Sequence, residues 1–310
     1  MIIKSGHGFL ATVGILLLAV AITPPALATN IPIGVAANYA VLYEGTGGHN
    51  LQITNVAIGG NVGVGGTGKV QDSGPSDITG RLDFSAANTG QFSNSNPGNS
   101  GPTSVNYGVT DVGNALATVN LLSANLAAAA GNGLALSGTQ TVNQSAGMLD
   151  TINGVSYYVF NVTSYSANDG NVLTVNGNGT GDPVLFNFLY NSNVNLGGDV
   201  VLNGLSTDQV LFNFGTSGKN VSLNNNGSSF PLPDAFMGII LAPNDGLSLV
   251  NANLDGRVFG GDSSDMQIVS GDRINITPVT PPPPVPEPMT LVLFGSGVAA
   301  LLVKKGLGKA

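Results

Sequence analysis

One five-residue string occurs twice in this chain. Val184-Leu185-Phe186-Asn187-Phe188 returns as Val210-Leu211-Phe212-Asn213-Phe214. A shorter string, Val194-Asn195-Leu196, returns as Val221-Ser222-Leu223 at almost the same interval. A degenerate third copy places Gly238-Ile239-Ile240-Leu241 near the first position and Leu247-Ser248-Leu249 at the second. Each unit reads as an apolar strand, a turn rich in Asn and Gly, and a shorter strand. A unit of this size cannot bury its own apolar side, so neighbouring units must stack on a shared core. A coil this long holds three short strands, and the expectation is a mainly β chain wound as a right-handed β-solenoid. A β-sandwich is the alternative, and it gives less regular spacing.

Composition supports strands and removes other sources of stability. The 310 residues include 45 glycines, no cysteine and no tryptophan, and only 8% are charged. Without cysteine there is neither a disulfide nor a thiolate metal site, so packing and backbone pairing must hold the fold. Low charge with many β-branched residues is the reverse of a disordered composition. Ile31 to Leu42 reads as an opening strand, and Asn50 to Val64 alternates apolar and polar positions, with Gly59-Gly60 and Gly65-Gly66 as corners. Asp72 to Ser104, rich in Ser, Asn, Gly and Pro, reads as a long surface excursion.

One segment has the helical period instead. Val112, Leu116, Val119, Leu122, Leu126 and Ala130 recur at spacings of three and four. A single helix over about 111–130 is expected, with Thr110 or Asp111 capping its start and Gly131 closing its end in a left-handed turn. Its apolar stripe would pack on the coils.

The two ends carry addresses. Lys4 and His7 precede an apolar run from Phe9 to Ile22, broken by Pro24 and Pro25, and Ala26-Leu27-Ala28 follows. That order describes a secretory signal peptide over residues 1–28, cut after Ala28. At the other end, a proline-rich linker over 278–285 leads to Pro286-Glu287-Pro288, an apolar run from Met289 to Val303, and Lys304-Lys305. The segment 286–310 resembles the bacterial PEP-CTERM sorting signal, although its basic end is lysine where arginine is commoner. The resemblance implies processing by an exosortase-type enzyme, at least transient membrane anchoring through the C-terminal segment as a helix, and delivery to the cell surface or extracellular matrix. Residues 29–277 would then be the exported domain.

That domain has a resemblance of its own. Asn38-Tyr39-Ala40-Val41-Leu42 near the start, a single helix before the main coils, and Met237-Gly238-Ile239-Ile240-Leu241-Ala242 followed by Leu254-Asp255-Gly256-Arg257-Val258 are its carriers. They are similar to the "choice-of-anchor A" domain of bacterial surface proteins and to the ice-binding-like β-solenoid. The resemblance implies a three-sided coil with a long helix alongside, and a surface role.

Residues 29–284 hold five basic and 16 acidic residues, a net of −11. That sign excludes nucleic acid as a partner. His49 is the domain's one histidine, and Glu44 is the nearest carboxylate in sequence, so neither a zinc site of the usual kinds nor a Ser-His-Asp set is expected. Asp199, Asp208, Asp255, Asp262, Asp265 and Asp272 could pair across coils as in β-helical polysaccharide-acting enzymes, but stacked coils bring almost any two carboxylates within range, and turn capping is the simpler role. Gly261-Asp262-Ser263-Ser264-Asp265 could supply oxygens to Ca²⁺, but it lacks the EF-hand order. Thr139-Gln140-Thr141 stands alone, without the repeated Thr-x-Thr ladder that suits ice. The expectation is therefore a non-enzymatic structural or adhesive protein of the envelope or exopolysaccharide matrix, with no cofactor or metal. Exopolysaccharide is a candidate partner, and ice binding and polysaccharide cleavage are the alternatives.

Overall fold

The structure is a computed structural model that describes residues 30–87, 91–95, 101–189, 191–216, 218–224, 235–262 and 264–276. The leader 1–28 with its Ala26 and Ala28, the linker 278–285, Pro286-Glu287-Pro288, Lys304 and Lys305 lie outside the described residues.

The chain winds into a solenoid with three ladders of parallel strands. The first face stacks ten strands, and their order along the axis is not their order in sequence. It runs Ser104–Asn106, Arg81–Phe84, Asn61–Val64, Tyr39–Tyr43, Asn253–Gly260, Phe236–Ala242, Val210–Phe214, Val184–Phe188, Val155–Ser166 and Asn132–Ser137. The chain thus begins in the middle. It winds to one end by residue 106, returns along the outside as the helix Thr110–Ala127, and winds back from residue 132 to meet its own first coil.

The recurring string explains the register of the main coils. Val184 pairs with Val210 and Phe188 with Phe214, as the repeat requires. Inside the coil the phenylalanines stack. Phe160, Phe186 and Phe212 follow one another at ring-centroid distances of 5.4 and 5.0 Å, with interplanar angles of 17° and 11°. Phe188 and Phe214 stack at 4.5 Å. Such contacts add roughly 0.5–1.5 kcal/mol each beyond burial. The sandwich alternative fails because successive coils pair in parallel, where a sandwich is built of antiparallel hairpins.

The asparagines of the same string do a different job. Asn161, Asn187 and Asn213 are in register on the outer side of the first face, beneath the helix. Asn213 donates to Asn187 Oδ1 at 3.0 Å and accepts the Ser123 hydroxyl at 2.6 Å. Asn187 donates to the Leu126 carbonyl at 3.0 Å. The ladder therefore reaches up to the helix and gives the Leu126 carbonyl in its last turn a side-chain donor besides the Ala129 N–H. Around it, Val112, Leu116, Val119, Leu122 and Leu126 bury against Leu42, Phe259, Leu241, Leu211 and Leu185.

Where the chain closes on itself, one cation sits in an apolar setting. Arg257, 4% exposed, donates to Asp208 Oδ1 at 3.1 Å and to the carbonyls of Ala37 and Tyr39 at 2.9 and 3.0 Å. It ties the last coils to the first. The coil corner nearby allows no side chain: a Cβ on Gly256, at φ +151°, would fall 1.8 Å from the Gly238 carbonyl oxygen.

Several local expectations need correction. The helix starts after Val109, which makes no side-chain cap, so neither Thr110 nor Asp111 performs that role. Its end passes through Ala128 in the right-handed region, and Gly131 is not left-handed. Glycine is required there because a Cβ would stand 2.6 Å from Val159 Cγ1. The opening segment is a 3-10 turn over Gly34–Asn38 before the strand Tyr39–Tyr43. The supposed excursion after Asp72 contains in-register strands, Asp77–Ile78, Arg81–Phe84 and Phe92–Asn94. Its polar composition reflects short strands with one solvent-facing side.

Replacing Arg257 with alanine leaves Asp208 buried without its partner and should cost ~3–5 kcal/mol in denaturant melts. Hydrogen exchange should then rise first in Tyr39–Tyr43 and the coils beyond it, with the coil of Phe212 staying protected. Asn213→Ala removes a rung from beneath the helix and should cost ~1–3 kcal/mol by the same measurement.

Candidate functional surface

The second face is the most regular exposed surface. Seven parallel strands stack in the order Val194–Leu196, Asn220–Leu223, Gly246–Val250, Met266–Val269, Asn50–Thr54, Lys69–Ser73 and Phe92–Asn94. Alternation sets what each side shows. Val194, Val221, Leu247, Met266, Leu51 and Val70 point into the core, and Leu196, Leu223, Leu249, Ile268 and Ile53 form the parallel inner row. Between these rows a single outward row remains: Asn195, Ser222, Ser248, Gln267, Gln52, Gln71 and Ser93.

That row is polar, uncharged and spaced by the strand separation, so its six steps cover about 29 Å at ~4.8 Å each. Neighbouring rungs touch. Gln267 Nε2 donates to Gln52 Oε1 at 3.2 Å, and Ser222 Oγ lies 3.3 Å from Asn195 Oδ1. Beside them, the Thr54 and Ser73 hydroxyls are 2.8 Å apart. These contacts hold amides and hydroxyls in fixed positions. Such a row can offer hydrogen bonds to an ordered, repeating partner.

The other two faces are less uniform. The helix covers part of the first. The third begins well, with Thr141 beside Thr174 and an amide ladder Asn143–Asn176–Asn203 at 3.0 and 2.9 Å. Its central row then becomes Val201, and farther along the face stand Asp255, Arg273 and Asp77. Thr139-Gln140-Thr141 lies at the end of this face, where the Thr139 hydroxyl accepts the Val172 N–H and Gln140 bonds the local backbone.

Three of the carboxylates considered as catalytic or Ca²⁺ candidates, Asp272, Asp208 and Asp265, tie neighbouring segments together. Asp272, 1% exposed, accepts the N–H groups of Ala252 at 2.5 Å and Val269 at 2.7 Å. Asp208 faces Arg257. Asp265 accepts the Asn50 N–H at 2.8 Å and lies 3.4 Å from His49 Nδ1, so the histidine's neighbour is Asp265, a coil away, where sequence order suggested Glu44. Asp199 is buried at the start of a third-face strand, Asp255 stands on that face, and the backbone carbonyl of Asp262 accepts the Thr46 hydroxyl. Among the described residues no group of three or more His, Asp or Glu is arranged to hold a metal.

Burial raises the affinity of several of these groups for protons. Desolvation pushes Asp272 up to about 7 against the pull of its two N–H donors. It pushes Asp245, which accepts the Lys219 N–H, up to about 6. Glu44 moves upward for the same reason, with the Asn120 hydrogen bond opposing and Asp262 adding to the rise. A folded-state value above the unfolded one stabilises the fold fully below the unfolded value of 3.8, and that contribution falls as pH rises and is gone above the folded values of about 6 and about 7. Thermal melts should therefore give a higher Tm at pH 5 than at pH 8. Asp272→Asn should flatten that slope.

Known proteins resemble this arrangement. A glycosylated ice-binding protein from an Arctic yeast shares 18% identity with a TM-score of 0.51, over 84% of this chain and 99% of that one. An ice-binding protein from the Antarctic ascomycete Antarctomyces psychrotrophicus shares 14% at a TM-score of 0.50, over 80% and 99%. At such identities the likeness is one of fold. No curated protein matches the sequence. The family model of the ice-binding-like adhesive domain matches residues 27–268, which is most of the chain. This protein belongs to the ice-binding-like adhesive domain family.

Proposed function

We propose that this chain is an exported adhesive protein, a right-handed solenoid that binds ice through its second face. The observation that carries the reading is the unbroken outward row from Asn195 to Ser93. It is uncharged along its length, and its amides and hydroxyls repeat at the strand spacing. Water held at such intervals matches a lattice better than water around scattered charges. Family membership supports the same reading, as does the name that the two fold neighbours carry.

The sequence ends supply the address. The leader 1–28 would take the chain out of the cytoplasm. The tail, with Pro286-Glu287-Pro288 and Lys304-Lys305, would pass through an exosortase-type enzyme and place the domain on the envelope or in the matrix. A second reading, adhesion to exopolysaccharide, rests on the tail's resemblance and on the same uncharged row, whose amides and hydroxyls suit sugar hydroxyls as well.

Ice recrystallisation and thermal hysteresis assays decide between the two. The unaltered protein should inhibit crystal growth. The double variant Gln52→Lys, Gln71→Lys should need about tenfold more protein, a loss of ~1.4 kcal/mol. Thr174→Lys on the third face should act as the unaltered protein does. Inertness toward ice, with retention on matrix polysaccharide, would transfer the function to the second reading.

A further inference from the structure

The coil that closes the solenoid near residue 132 differs from the others. Strand Val155–Ser166 pairs on one edge with Val184–Phe188. On its other edge two strands lie end to end, Asn132–Ser137 in parallel and Met148–Ile152 antiparallel. The Asn132 side chain donates to the Ala146 carbonyl at 2.8 Å and joins them into one layer. Among the described residues nothing pairs with the outer edge of that layer.

Exposed strand edges invite pairing, and proteins that stay single blunt them with lysine, proline or inward charge. Residues 130–152 contain no lysine, arginine or proline. Their one charged side chain, Asp150, is occupied by the N–H groups of Ala130 and Thr151. Beside the open edge, Met148 and Leu149 are 41% and 56% exposed. The rest of the domain is acidic, and the coils at the opposite end carry Asp77, Arg81 and Asp83. Two copies of a body with net −11 repel wherever charged surfaces meet. This end, with one charge already held by backbone N–H groups, is where they can approach.

We propose that this layer is a self-association surface, and that its partner is a second copy of the chain. The two copies dock end to end about a twofold axis, with Asn132–Ser137 antiparallel to its counterpart. Such a contact uses the same patch on both copies and closes at two. It is independent of whether the outward row of the second face binds ice.

The test is the solution mass of the full chain, recovered after expression with its leader, by size exclusion with light scattering. The unaltered chain should show twice the monomer mass. The variant Ala135→Lys, Leu149→Lys should show half of that mass with an unchanged Tm, because both positions are exposed. Leu121→Lys, on the outer side of the helix and 64% exposed, should leave the doubled mass intact. A monomer at the highest soluble concentration overturns the proposal. So does a dimer that survives the first variant or is lost with the second.

Discussion

The contact between the first and last coils closes this fold. Tyr39–Tyr43 and Asn253–Gly260 pair although nearly the whole domain lies between them in sequence. Loop closure over that distance costs entropy before any contact offsets it. The structure concentrates strong interactions at that place. Arg257 is held by a carboxylate and two carbonyls, Asp272 by two backbone N–H groups, and the side chains of Ile31 and Ile33 bury against the helix. With the closure open, each half would present an unpaired coil edge to water. With it closed, ten strands share one core.

Charge is distributed to the same end. A composition with 16 acidic residues between 29 and 284 suggests an acidic surface. Asp72, Asp83, Asp199, Asp208, Asp245 and Asp272 are instead buried or nearly so. Much of the negative charge is thus turned inward: Asp245 and Asp272 accept backbone N–H groups, Asp208 faces Arg257, and Asp83 accepts the Asn106 amide and the Tyr39 hydroxyl. The outward row of the second face is left neutral as a result. Carboxylates turned inward and an uncharged outward row are two sides of one arrangement.

The coil stacking was legible where the period was constant. Val184 to Phe188 and Val210 to Phe214 align because both coils have the same length, and the helix was legible from its stripe. The coils before the helix showed strands and glycine corners but no period, because they are shorter. Val62 pairs with Leu82 and Leu51 with Val70, both closer in sequence than Val184 is to Val210, while the loops between vary. No local pattern could reveal that residue 41 lies beside residue 258, since that neighbourship exists only after the chain doubles back. The role of the repeated asparagines was hidden for a similar reason: their partners sit on a helix far back in the sequence. The outward row did leave a trace. Leu51-Gln52-Ile53, Val70-Gln71-Asp72 and Met266-Gln267-Ile268 each place glutamine between two inward residues. That pattern emerges only when coils of unequal length are aligned.

The helix acts as a ruler for the solenoid. It must travel from the coil ending at residue 106 to the coil beginning at residue 132, and its 18 residues cover about 27 Å of that path. One more coil would lengthen the stack by ~4.8 Å and demand about three further helical residues. An insertion of that size makes nearly one helical turn, so the apolar stripe would still face the coils. Growth of this architecture by whole coils is therefore geometrically compatible with growth of its helix by whole turns. Relatives of different length can then arise in discrete steps, with the closure at Arg257 untouched.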